Sequence, residues 1–167
     1  DYSSNGAYFV TICVADRNAL LWNRVGANCG ADRNALLWNH VGANCVRPNE
    51  LPLLSDIGKV VDDEIQKLNT VYENVVVDKY CIMPDHIHAM IVVLSDESGR
   101  TQSGRTQFAP TLSRIIKQFK GSITKQIGLS IWQKSFHDRI IRNEQGYREV
   151  WQYIGTNPSK WETNYFS

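Results

Sequence analysis

Apolar positions along the chain fall into two periodicities, and the alternation between them predicts the fold. Tyr8 to Val14 (YFVTICV) is β-branched and aromatic throughout, as expected of a buried strand. From Ser55, a candidate N-cap, Ile57, Val60, Val61, Ile65 and Leu68 recur at helical spacing, so a helix is predicted to about Leu68. Asp62, Asp63 and Glu64 are expected to face mostly outward. The pattern then changes: Val75 to Met83 and Ile87 to Leu94 are strand-like, with Pro84 and Asp85 between them as a tight turn. Pro110 and Thr111 open a second helix whose stripe is Leu112, Ile115, Ile116, Phe119 and Ile123. Ile131 to Phe136 and Arg139 to Ile141 read as extended. Asn143 caps a last helix, which Pro158 is expected to end near Asn157. The resulting order is that of an α+β, ferredoxin-like split βαβ fold: an antiparallel sheet with two helices on one face, plus an additional C-terminal helix. That fold hosts many activities, so function must come from side chains.

Two repeats interrupt the pattern. Ala15 to Gly30 is followed at once by a near-copy, Ala31 to Val46, in which only Arg24/His40 and Gly30/Val46 differ. Solenoids need at least three repeats to share a core, so residues 15–46 read as a tandem-duplicated insert. A smaller repeat, SGRTQSGRTQ, lies at Ser98 to Gln107 within a linker, 95–109, expected to be mobile. The 167 residues, 43% of them hydrophobic, fit a single globular domain over 1–167. The four cysteines form no CxxC pair and read as reduced thiols of a cytoplasmic protein. Neither a signal peptide nor a membrane-spanning apolar run is evident. The chain starts at Asp1, so a few residues are expected to precede it.

Charge changes the picture more than composition does. Residues 49–97 carry ten acids and three bases, a balance of −7, whereas residues 111–148 carry eight bases and two acids, a balance of +6. The basic segment is a candidate nucleic-acid face, or else a solvated helix surface.

Candidate chemistry gathers in YCIMPDHIHAMIVV, Tyr80 to Val93. Side chains alternate along a strand, so His86 and His88 share one face while Ile87 and Ala89 take the other. Two imidazoles so placed can bind one divalent cation with positions left open, or can be ordinary surface histidines. On the last helix Tyr147, Val150, Trp151 and Ile154 form the apolar stripe, and Tyr153 lies about 100° or more from its centre. Tyr153 therefore suits a cleft better than a core, and Asn157 shares its face one turn on. A phenol and an amide there can offer a nucleophile and a metal ligand, or be a half-exposed tyrosine and a helix-terminal asparagine.

Four stretches in order resemble the single-tyrosine HUH transposases, and most closely the REP-associated tyrosine transposases of bacteria. They are GAYFVTIC (Gly6 to Cys13), MPDHIHAMI (Met83 to Ile91), IWQKSFHDRIIRN (Ile131 to Asn143) and YIGTNPSKW (Tyr153 to Trp161). Asp85 stands where the family often has Asn. The resemblance implies Mg²⁺ or Mn²⁺ on His86 and His88, with Asn157 as third ligand and Tyr153 as nucleophile. It implies a 5′-phosphotyrosine intermediate and single-stranded DNA bearing REP-like hairpins as substrate. Arg114, Lys117, Lys120, Lys125, Lys134, Arg139 and Arg142 are the expected phosphate contacts, with Trp132 as a base-stacking candidate. A bacterial, nucleoid-associated location and a possible homodimer complete what it implies. Two other classes compete: a domesticated hairpin-binding protein without turnover, and a zinc-stabilised interaction protein using Cys81, His86 and His88. The latter is disfavoured because Cys81 lies across the hairpin turn with no fourth ligand evident.

Overall fold

The computed structural model describes residues 6–23, 54–94 and 111–165, with side chains as far as Pro158. The second copy of the repeat and the 95–109 linker lie outside the described residues. Four strands, β1 (Gly6–Cys13), β2 (Val75–Ile82), β3 (His86–Val93) and β4 (His137–Ile141), form one sheet in the order β2-β3-β1-β4. Every neighbouring pair is antiparallel. Three helices accompany them, α1 (Asp56–Val71), α2 (Leu112–Ile127) and α3 (Glu144–Tyr165). The α+β, ferredoxin-like arrangement expected from the sequence is the one found.

Local chemistry accounts for the helix starts. Ser55 Oγ accepts the Gly58 amide at 3.0 Å and Thr111 Oγ1 accepts that of Arg114 at 3.4 Å. Asn143 Oδ1 accepts the Gly146 amide at 2.8 Å. Such caps satisfy amides that have no partner inside the helix. Gly128, with φ at +72°, ends α2 in the left-handed conformation that glycine tolerates best.

The sheet divides the molecule. Tyr8, Val10 and Ile12 of β1 and Ile87, Ala89, Ile91 and Val93 of β3 form the core face. On that face Tyr80 donates to Asp62 of α1 at 2.6 Å, and α1 joins α2 through Gln126 to Glu64 at 2.7 Å. The predicted α2 stripe, Leu112, Ile115, Ile116, Phe119 and Ile123, is entirely buried. Helix α3 covers the other face through Val150 and Ile154.

Four details differ from expectation. Pro158 does not end α3, which runs on to Tyr165. Proline forfeits one hydrogen bond, to the Ile154 carbonyl, but its fixed φ is close to the helical value, so continuation is possible. Ile131 to Phe136 forms no strand: it meets the end of β1 only at an isolated bridge between Trp132 and Val14. Glu64 is buried, taking Lys67 Nζ at 2.6 Å as well as Gln126. Trp151 is exposed on the flank of α3, where the ammonium of Lys79 sits 3.0 Å from its ring centroid.

Candidate active site

The site is built on β3, where every residue from Cys81 through the turn to Met90 is buried. His86 and His88 leave β3 on the α3 side and are each only 7% exposed, which removes the surface-histidine reading. Register supplies their neighbours: Thr11 of β1 and Cys81 of β2 both stand opposite His88. Each imidazole is held by its Nδ1. His86 Nδ1 meets Asp85 Oδ1 at 2.5 Å, and His88 Nδ1 meets Thr11 Oγ1 at 2.9 Å. The two Nε2 atoms consequently converge, 3.1 Å apart. Burial, together with the charges of His86 and Arg17, pushes the His88 pKa down to about 4. The ring is therefore neutral at pH 7, as a metal ligand must be.

Tyr153 completes the cluster from α3. Its hydroxyl lies 3.4 Å from His88 Nε2, and its ring meets Phe9 edge-on at 5.9 Å. Phe9 in turn stacks on His88 at 5.2 Å. The phenol stays 44% exposed and opens on a cavity of about 540 Å³ whose walls include Thr11, His137, Arg139 and Glu149. One chain thus brings two imidazole nitrogens and a phenol oxygen together beside a cleft.

These donors fit a divalent cation in part. Two nitrogens about 2.1 Å from one ion and 3.1 Å from each other subtend an angle close to that of adjacent octahedral ligands. Among the described residues no group of three or more His, Cys, Asp or Glu could hold a metal. Asn157 supplies an amide nearby, within hydrogen-bonding reach of the Cys81 thiol. Cys81 itself faces His88 directly, closer than the sequence suggested. Burial raises its pKa to about 11, so with no cation bound it stays a thiol at neutral pH.

The other predicted contacts divide between the two sides of the sheet. Arg114, Lys117 and Lys125 are exposed on α2, on the far side from Tyr153. Lys120 is tied to the Gln133 and Ser135 carbonyls at 2.9 and 2.7 Å, and burial lowers its pKa. Its ammonium holds the chain after Trp132 in place. Trp132 is buried at 7% exposure beside Phe119, so it packs in the core and offers no face to a base. Lys134, Arg139 and Arg142 are exposed, and Arg139 alone of these lines the cavity. Sequence reasoning missed Thr11, Phe9 and Arg17, which only strand register and turn geometry bring in. It gave Asp85 a turn role alone, although its place beside His86 was a usable signal.

Fold and site together define an antiparallel α+β protein with a paired-histidine and tyrosine centre. Comparison with known proteins adds the family resemblance. The chain is 24% identical over 176 residues to an uncharacterised protein of Haemophilus influenzae, covering 97% of this chain and 85% of that one. A second H. influenzae protein, named for the REP-associated tyrosine transposases, is 31% identical over 83 residues, covering 48% of this chain and 47% of the relative. Among solved structures, a REP-associated tyrosine transposase bound to a REP hairpin superposes with a TM-score of 0.59 at 19% identity, over 96% of this chain and 70% of that chain. No family model matches. The resemblance to REP-associated tyrosine transposases read from the motifs is thus borne out. No helix among the described residues is long and apolar enough to cross a membrane.

Proposed function

We propose that the protein is a transposase or endonuclease of single-stranded DNA that cleaves and rejoins strands near hairpins through Tyr153. The observation that carries this reading is the convergence of the Tyr153 hydroxyl on the His86–His88 nitrogen pair within one chain. Tyr153 Oη attacks a phosphodiester: an Oη–P bond forms, the P–O3′ bond breaks, and the phenol loses a proton while the 3′ oxygen gains one. The product is a 5′-phosphotyrosine and a free 3′-OH. One phosphoester replaces another, so a 3′-OH can reverse the step and join strands with no external energy source. Mg²⁺ or Mn²⁺, held by His86 and His88 with Asn157, would polarise the scissile phosphate. Phe9 and Thr11 keep the His88 ring and the phenol in register. Arg139, in the cavity wall, would neutralise a backbone phosphate of the incoming strand. The REP hairpin bound by the solved relative motivates hairpin-bearing DNA as the partner.

Covalent capture tests the reading. The wild type with a labelled hairpin oligonucleotide and Mn²⁺ should give a protein–DNA adduct that survives denaturation. Tyr153→Phe should give none while binding the oligonucleotide nearly as well. Binding by the wild type without an adduct would instead support a hairpin-binding protein that has lost turnover.

A further inference from the structure

The turn after β1 carries two non-glycine residues in the left-handed region, Asp16 and Arg17, both with φ of +54°. Such a conformation costs roughly 1 kcal/mol or more per residue and persists only where its surroundings impose it. Here they do. Val14 N donates to Asp85 O at 2.8 Å, Ala15 N to Ile131 O at 2.8 Å, and Leu21 N to Pro84 O at 3.0 Å. Leu21 is fully buried, and Trp22 Nε1 donates to the Ile82 carbonyl at 2.7 Å. The turn is therefore fastened to the Pro84–Asp85 turn that precedes the histidines.

Fastening brings the Arg17 guanidinium to Asp85, with Nη1 3.5 Å from Oδ2, while the other carboxylate oxygen holds His86. One carboxylate thus separates an arginine from a histidine of the site. The 3.5 Å contact is longer than a committed charge-assisted bond, which runs about 2.7–2.9 Å. The Arg17 side chain also remains 58% exposed. A planar, permanently charged fork that is tethered loosely and open to solvent is suited to a phosphate.

Resting on the function proposed above, we infer that Arg17 is a phosphate-binding residue of this centre. Its guanidinium takes a phosphodiester of the strand lying against the His86–His88 pair, with Asp85 as its tether. The α2 cations lie on the other side of the sheet and cannot serve the same phosphate.

Binding of a fluorescent hairpin oligonucleotide, measured against NaCl in EDTA, tests the assignment. Arg17→Gln should weaken affinity by about 5- to 10-fold at low salt and lower the slope of log K against log salt by about one. Arg17→Lys, which keeps the charge, should hold that slope. Mn²⁺ affinity, measured by calorimetry, and the urea midpoint should stay at wild-type values in both. A parallel variant also carrying Arg33→Gln removes the matching arginine of the second copy, so exchange of copies cannot mask the loss. If affinity and slope remain those of the wild type in that double variant, Arg17 does not bind DNA. If instead Mn²⁺ affinity falls while the slope holds, the guanidinium acts only on Asp85. A wild type that does not bind the oligonucleotide sinks the transposase reading itself, a result distinct from either.

Discussion

Two tyrosines on one helix show how single atoms divide chemistry from packing. Tyr153 and Tyr147 are six residues apart on α3, and each hydroxyl has a partner on the sheet. Tyr147 donates to Asp78 at 2.6 Å, and that bond followed by burial raises its pKa to about 12. Its proton is held, so Tyr147→Phe should keep adduct formation and cost only about 0.5–1 kcal/mol in urea unfolding. An adduct lost in Tyr147→Phe but kept in Tyr153→Phe would reverse the assignment of the nucleophile. His88 makes a second prediction, about acid. Its pKa is depressed from 6.5 to about 4 in the folded state. Between those values the unfolded chain binds a proton that the native one does not, so stability rises with pH across that window. The contribution is present above pH 6.5 and is lost as pH falls through the window towards 4, by at most about 3 kcal/mol. Urea unfolding of metal-free protein at pH 7 and pH 5 should show the loss in wild type and a smaller one in His88→Gln. Equal losses in both would place the titration elsewhere.

Elements explain what could be read from the sequence and what could not. Periodicity is local, so the α1 and α2 stripes, their Ser55 and Thr111 caps and the β2–β3 hairpin were all legible. That His86 and His88 share a strand face and that Tyr153 leaves the apolar stripe of α3 was legible too, because strand alternation and helix angle are set by nearest neighbours. Their grouping at one centre was implied only by the family resemblance. The Thr11 contact with His88 and the position of Arg17 beside Asp85 were not legible, since they depend on pairings between segments roughly seventy residues apart in the chain. Pro158 misled because a helix already docked through Val150 and Ile154 can lose one hydrogen bond and continue. The repeat yields the prediction at this scale. Leu21 and Trp22 of the first copy are core residues, and a Cβ on Gly58 would run into the Leu21 carbonyl. Deleting Ala15 to Gly30 nevertheless joins Val14 to ADRNALLWN of the second copy, which offers Leu37 and Trp38 to the same slots. Shortening the loop changes closure entropy only slightly. The deletion variant should therefore unfold within about 1 kcal/mol of wild type, whereas failure to fold would show that both copies are structural.

At the scale of the whole molecule, the sheet sets where DNA would lie under the proposed function. Helices α1 and α2 occupy one face, and the histidines, Tyr153 and the Arg139-lined cavity occupy the other. A helix layer and a sheet layer are each about 10 Å thick, and the Debye length at 0.1 M salt is about 10 Å. Charges on the outer surface of α2 are thus largely screened from a strand bound against Tyr153. Of the basic residues between 111 and 148, Lys120 is in any case consumed in holding the chain near Gln133 and Ser135. Lys117 and Arg139 are both exposed and test the two faces directly. Arg139→Glu should weaken hairpin binding by about tenfold at low salt and reduce the salt slope, since it puts a like charge beside a phosphate. Lys117→Glu should stay within about twofold. Fluorescence anisotropy titrations at several NaCl concentrations measure both. A large loss in Lys117→Glu with little change in Arg139→Glu would route the strand over α2 instead. DNA bound there would lie across the sheet from Tyr153, and cleavage would then require the strand to pass around an edge of the sheet to reach the phenol.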